Sequence, residues 1–296
     1  MIREALAGLA RQPGVGAFIS RAPGGHELVE RLVGGDTVDE ATQVASACAD
    51  EGFWTALEWT GGPTDVRATL DEEVRAIVRA GLASTCELVV IPERIATANA
   101  MQDDANLDQV RWATHDAGVD LVLGAAPEAN LDYHLELART WRAEGMPVRV
   151  TIPASLRAAE RICREWADEP VRGEKGTRTG SDRDSFRQPI EVDKSFVRCA
   201  KALLHGSSMA SFATHDARLI EVIEATAIRV GREAGDFEFT FFLGRQDRTA
   251  LRLVRDGHRV RRYIPYGPGW YERLVAGLAE QSSSVGAAVR SLLPGA

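Results

Sequence analysis

Two short stretches carry side chains able to bind or polarise a small molecule. In Phe212-Ala-Thr-His-Asp216 a threonine and a histidine close an apolar run and precede a helical pattern. That spacing sets Thr214 and His215 at a strand-to-helix junction, where an imidazole either hydrogen-bonds a ligand or caps the next helix. The second stretch, Gly257–Tyr271, reads Gly-His-Arg-Val-Arg-Arg-Tyr-Ile-Pro-Tyr-Gly-Pro-Gly-Trp-Tyr and joins a strand-like run to a helical one. Tyr263, near the strand end, can line a pocket or pack into a core with its polar tip satisfied.

Other chemistries lack their parts. His115-Asp116 and His134 fall on helical patterns, and their spacing suggests surface positions rather than a metal site. The glycine pairs at 24–25, 34–35 and 61–62 have no strand-turn-helix context or lysine for phosphate, and no serine sits in a Gly-x-Ser-x-Gly turn. Cysteines 48, 86, 163 and 199 are too widely spaced for a zinc ribbon or a dense disulfide framework, so buried thiols in a reducing cytosol are expected.

Positioning these residues requires a repeating scaffold. Strand-like runs occur at Phe53–Trp59, Thr85–Ile91, Val119–Ala125, Val148–Ile152, Glu169–Arg172, Met209–Thr214, Phe237–Leu243 and Arg259–Ile264. Most precede amphipathic helical segments: Asp71–Ala80, Leu107–Ala117, Asp132–Glu144, Val192–Leu204, Ala217–Ala234 and Asp247–Asp256. Strict β/α alternation with eight strands predicts an α/β chain folded as a (β/α)8 TIM-like barrel. The expected division is an N-terminal helical appendage over 1–50, the barrel over 51–282 and a tail over 283–296. The polar, aperiodic stretch between Gly173 and Pro189 follows the fifth run, where it would form a lid over an active site or a plain surface excursion.

Net charge −8 and a pI near 5.4, with no separated basic block, point to a small-molecule partner and not to nucleic acid. The first residues lack a signal-peptide core and no apolar run is long enough to span a bilayer, so a cytoplasmic protein is expected.

Several of these segments carry a family pattern. Arg-x-Tyr-x-x-Tyr-Gly-x-x-Trp-Tyr over Arg261–Tyr271, Ala-Thr-His-Asp over 213–216, the helix from Glu191 to Lys201, and Glu238–Gly244, which is similar to a Glu-Phe-Gln-x-Leu-x-Gly strand with Thr240 in place of Gln, resemble the proline dehydrogenase family. The resemblance implies an FAD-dependent barrel enzyme that takes a hydride from a carbon next to nitrogen. It further implies that Thr214 and His215 line the flavin site, that Glu238 is retained from it, and that Tyr263 lines the substrate pocket. Val171-Arg172-Gly173 would stand at the Val-Lys-Gly of the family's Arg-Leu-Val-Lys-Gly-Ala-Tyr strand end. There Arg172 would favour a reduced, anionic flavin, and Gly173 would let the backbone approach a planar ring. Thr151 would occupy the place of a flavin-contacting glutamine.

The departures are specific. In the family two adjacent arginines hold the substrate carboxylate, and here those positions read Ala276-Gly277. Glu169 replaces the strand arginine, Ile91 a lysine, and Leu123-Gly-Ala-Ala126 a strand bearing the acid that pairs with that lysine. A less charged pocket is therefore expected; Arg273, one helical turn before the lost pair, is either a solvated surface arginine or a long side chain that reaches into the vacated space as a substitute anion ligand. Three readings follow: an oxidoreductase acting on a C–N or N–N bond of a small amine or imino-acid-like substrate; a catalytically silent relative that binds or regulates; and an ordinary proline dehydrogenase relying on Arg273. The resemblance names no electron acceptor, and any membrane association would come only through one.

Overall fold

Each of the eight strand-like runs overlaps a strand of one closed, all-parallel barrel: β1 (Trp54–Trp59), β2 (Cys86–Val90), β3 (Asp120–Leu123), β4 (Val148–Pro153), β5 (Val171–Glu174), β6 (Ala210–Ala213), β7 (Phe237–Phe242) and β8 (Arg259–Tyr266). The computed structural model describes residues 32–61, 66–95, 100–125, 128–176, 183–245 and 247–268. Closure comes from β1, which pairs with β2 on one side, Leu57 opposite Leu88, and with β8 on the other, Ala56 opposite Tyr263. The described helices are α1 (Val38–Asp50), α2 (Val66–Arg79), α3 (Pro92–Ile95), α4 (Ala100–Ala117), α5 (Glu128–Ala143), α6 (Ala159–Glu165), α7 (Pro189–His205), α8 (Ala217–Val230) and α9 (Asp247–Arg255). Helix α1 begins with a capping box, Thr37 accepting from Glu40 N and the Glu40 side chain answering to the backbone of Thr37. It packs on β1 and β8, covering the seam where the barrel closes.

Side-chain alternation sorts every strand into two faces. Leu57, Leu88, Val150, Val171, Phe212, Phe239 and Ile264 belong to the large cluster shared with the helices. The opposite parity fills the barrel. A small apolar group of Ala56, Val89, Val122 and Tyr263 is joined by a buried ionic layer of Glu87, Arg149, Arg172, Glu238 and Arg261. Arg261 holds Glu238 with two parallel bonds, Nε to Oε1 at 2.9 Å and Nη2 to Oε2 at 2.8 Å, the strong bidentate geometry of guanidinium and carboxylate. Arg172 donates to Glu87, and Arg149 lies 3.5 Å from the same carboxylate. Burial opposes the charge on Glu238, but Arg261, Arg149 and Arg172 outweigh it and hold its carboxyl below the usual range.

Two expectations need correction. Strand β5 starts at Val171, two residues later than expected, because Glu169 is half exposed and paired with Arg142 at 2.7 Å, and Pro170 has no amide to give a ladder. His134 is not on the surface. It is fully buried, with Nε2 3.0 Å from Glu93 Oε1, so α5 and α3 are tied by a polar contact inside their packing.

Candidate functional site

Ligands of (β/α)8 barrels bind where the strands end, and the described strand ends here surround a cleft. Its wall comes from Gly124 and Ala125 after β3, Thr151 of β4, Arg172 and Glu174 of β5 with Lys175 and Gly176, Ala213 to His215 at the end of β6, Thr240 and Phe242 of β7, and Tyr263 of β8. The structure thus brings Thr151, Arg172, Thr214, His215 and Tyr263 together around one space. Arg273, Ala276 and Gly277 lie outside the described residues.

Two expected contacts are not on this wall. Gly173 neighbours Arg172 in a strand and faces the other way: a Cβ built on it would sit 3.5 Å from Leu203 Cδ1 of α7. Glu238 points into the barrel but lies in the ionic layer, bound by Arg261 and by Ser211 Oγ at 2.9 Å. Its work is to neutralise buried arginines. Arg261 and Tyr266, both part of the Arg-x-Tyr-x-x-Tyr pattern, are likewise away from the cleft, inside the barrel and outside it respectively.

The position of β5 also changes how its strand-end pattern is read. Moved three residues along, Arg-Leu-Val-Lys-Gly lies on Arg172-Gly173-Glu174-Lys175-Gly176, keeping the arginine, lysine and glycine without an inserted loop. All three of those matched residues line the cleft, whereas Glu169 does not. Gly176 has φ +58°, a left-handed conformation that suits glycine. Lys175 is held by Asp193 at 2.7 Å and Asp216 at 3.3 Å, which fixes its ammonium at the junction of β5, α7 and α8.

The histidine has a defined proton position. Phe242 N–H donates to His215 Nε2 at 3.0 Å, so the single proton of the neutral ring is on Nδ1. Burial lowers the pKa well below the ordinary histidine value, and the nearby Arg245, Arg262 and Lys175 lower it further, which keeps the ring neutral. The ring stacks on Phe242 at an interplanar angle of 16°. Asp216, not His215, caps α8, accepting from Arg218 N. Thr214 Oγ1 accepts from Asp216 N at 3.2 Å and can still donate its own proton.

Arg172 supplies the cationic floor. Burial lowers its guanidinium to about 10, against the pull of Glu238, so it remains charged at neutral pH. Its Nε is buried without a hydrogen-bond partner among the described residues, a costly state that an acceptor in the cleft would relieve.

Ile91 packs against the rim, its Cγ1 within 2.8 Å of where a Cβ on Gly124 would stand. Behind the wall, Glu58 of β1 accepts from Arg94 Nη1 at 2.8 Å and from Tyr263 Oη at 2.7 Å. Beyond the strands, residues 177–182 of the expected lid lie outside the described residues. The following arm is fastened to the loop after β4, with Phe186 N donating to Ser155 O at 2.8 Å and Arg157 N to Asp184 O at 2.9 Å. Among the described residues there is no group of three or more potential metal ligands and no helix long and apolar enough to cross a membrane.

Comparisons with known proteins agree with this fold. The model of the family described as proline dehydrogenase matches residues 178–271. Proline dehydrogenase 2 of Bacillus subtilis is 30% identical over 118 residues, 40% of this chain and 39% of its own length. The chain spans about two fifths of that relative, whereas the match to proline dehydrogenase of Deinococcus radiodurans is 23% identical and covers 90% of this chain and 91% of the relative. Among solved structures, proline utilization A from Bdellovibrio bacteriovorus superposes with a TM-score of 0.75 at 15% identity, covering 95% of this chain and 36% of that one, a likeness of fold.

Proposed function

We propose, from the premise that this chain belongs to the proline dehydrogenase family, that it is an FAD-dependent oxidoreductase acting on a small proline-like or amino-acid-derived amine. The observation that carries this reading is the buried, unpartnered Nε of Arg172 on the wall of the cleft. A cationic donor beside stacked His215 and Phe242 fits a planar ring system that accepts hydrogen bonds and takes on negative charge.

On this reading FAD, when bound, supplies the hydride acceptor for a carbon next to nitrogen. Arg172 orients the ring system and offsets its charge, because three arginines of the interior layer face two glutamates. Thr214 and Thr151 offer hydroxyls, and His215 presents its ring to the cleft in a tautomer set by Phe242. Lys175 keeps the β5 strand end in place through its two aspartates. The protein's share is positioning and exclusion of water.

The test is the visible spectrum of the freshly purified full chain, repeated after incubation with FAD and removal of excess. Retained flavin at close to one per chain is expected, with bleaching on addition of proline or a smaller cyclic amine and recovery with an artificial electron acceptor. A chain that holds no flavin after reconstitution removes the redox reading and leaves a binding or regulatory barrel.

A further inference from the structure

We propose that Cys163 of α6 and Cys199 of α7 form a peroxide-driven, reversible disulfide, a covalent tie between the helices that precede and follow β5. Both are free thiols, 0% and 1% exposed, and the Cys163 thiol shares a hydrogen bond with the Cys199 sulfur. Contacts on both sides hold the two helices in this register. One turn before Cys163, Glu160 accepts from Arg198 Nε at 2.7 Å, and Arg198 is the residue before Cys199. Past the other end, Asp168 accepts from Ser207 N at 2.8 Å, and Gly206 lies so near Ala167 O that a Cβ there would overlap it. Helices pinned at both ends have little room to draw apart, so the sulfurs stay neighbours.

The two thiols have separate tasks. The hydrogen bond to Cys199, and then burial, push the Cys163 thiol well above its ordinary range. Cys163 keeps its proton, and attack on the oxidant falls to Cys199. Access is from the outside of the barrel. Glu160, Arg164, Ala167, Arg198 and Ala202, which flank the cysteines along their helices, line one surface cleft, so the sulfurs lie beneath its floor, where a molecule as small as hydrogen peroxide can reach them. In the first step the Cys199 sulfur attacks peroxide, the O–O bond breaks, and a sulfenic acid and a water form. The Cys163 sulfur then attacks the sulfenic sulfur, the S–O bond breaks, the S–S bond forms and a second water leaves. Two thiols lose two electrons, their protons end in water, and the peroxide is reduced. The loop so closed contains β5 with Arg172, and Lys175 after it.

The test is treatment of the folded full chain with hydrogen peroxide, blocking of the remaining thiols and digestion with trypsin; it needs no flavin. Cleavage after Arg161, Arg164, Arg198 and Lys201 should release Ile162-Cys163-Arg164 joined to Cys199-Ala200-Lys201, lighter than the two peptides by two hydrogen atoms and separated by dithiothreitol. Cys48 and Cys86 should be recovered as blocked thiols. The oxidised chain should unfold at a denaturant midpoint no lower than that of the reduced chain, because the bond joins sulfurs already adjacent. In Cys163→Ala, where the partner is gone, peroxide should carry Cys199 to a sulfinic acid. If that variant does not fold, the peptide map of the parent chain decides alone. Retention of all four thiols, a crosslink that forms only in denaturant, a lowered midpoint, or a Cys199 that stays a thiol in the folded variant overturns the inference.

Discussion

The two halves of this barrel are alike in architecture and unlike in what they bring to the cleft. Among the described residues, β5 to β8 and the segments after them bring Arg172, Glu174, Lys175, Gly176, Ala213, Thr214, His215, Thr240, Phe242 and Tyr263, whereas β1 to β4 contribute Gly124, Ala125 and Thr151 to the same wall. The family model also matches in the later half, over residues 178–271. The early half carries Glu58 and Arg94 behind the wall instead. The contrast teaches that the two sides of one barrel mouth can present different contacts, because each strand end projects its side chains separately.

That separation stops at the ionic layer, and Arg261 is the place to break it. It binds Glu238 of β7 and also donates to Thr55 O of β1 at 2.5 Å, so one side chain ties the two halves together. Arg261→Met keeps the volume and leaves Glu238 without its bidentate partner. We expect a loss of about 3–5 kcal/mol, the usual cost of removing one member of a buried pair, read as a lowered denaturant midpoint. A change below about 1 kcal/mol would mean that the halves are held independently.

Much of this was readable in the sequence, for identifiable reasons. Parallel strands covered on both faces read as nearly continuous apolar runs, as in Leu88-Val89-Val90 of β2 and Leu121-Val122-Leu123 of β3. Strand β5 resisted because only Val171 of its four residues is apolar. Helix α6, seven residues without a side-chain cap, gave too little periodicity to notice. Parity held a signal that the family pattern obscured: Arg172 and Gly173 are adjacent in a strand and cannot both present side chains to one cleft. The ionic layer was invisible for another reason. Glu87 and Arg172 are 85 positions apart, and a single charged residue in a strand reads as solvent-facing until the barrel closes around it.

A feature peculiar to the early half sharpens the comparison. Glu73 of α2 is buried on the helix-facing side of the barrel, and neither carboxylate oxygen has a hydrogen-bond partner among the described residues. Burial raises its carboxyl to about 8; the nearby Tyr266 hydroxyl works against that shift and the charge of Glu58 adds to it. With a folded value above the unfolded one, the native state keeps a proton that the unfolded chain releases. Stability should therefore fall as pH rises from about 4.5 to about 8 and then level off. The effect is on the order of a few kcal/mol, at 1.36 kcal/mol for each unit of difference. Comparing denaturant midpoints of the parent and Glu73→Gln at pH 5 and pH 8 checks it, since the amide should lose most of this dependence. Identical pH dependence in the two chains would show that Glu73 is ionised throughout.

The smallest effect tests the asymmetry most directly. Thr151 of β4 and Thr214 after β6 are both 2% exposed and both line the cleft, one from each half. Thr214 is locked by Asp216 N and stands beside His215, so its hydroxyl has a fixed direction. Thr151 faces Arg172 across the β4–β5 pairing, where an arginine already supplies the donors a ligand needs. Replacing each with valine removes a hydroxyl while conserving shape. A neutral hydrogen bond is worth about 0.5–1.5 kcal/mol, so Thr214→Val should weaken flavin binding by roughly that amount and Thr151→Val by less. Titration of FAD fluorescence against the two variants separates these outcomes. If Thr151→Val loses more affinity than Thr214→Val, the division of labour between the halves is wrong.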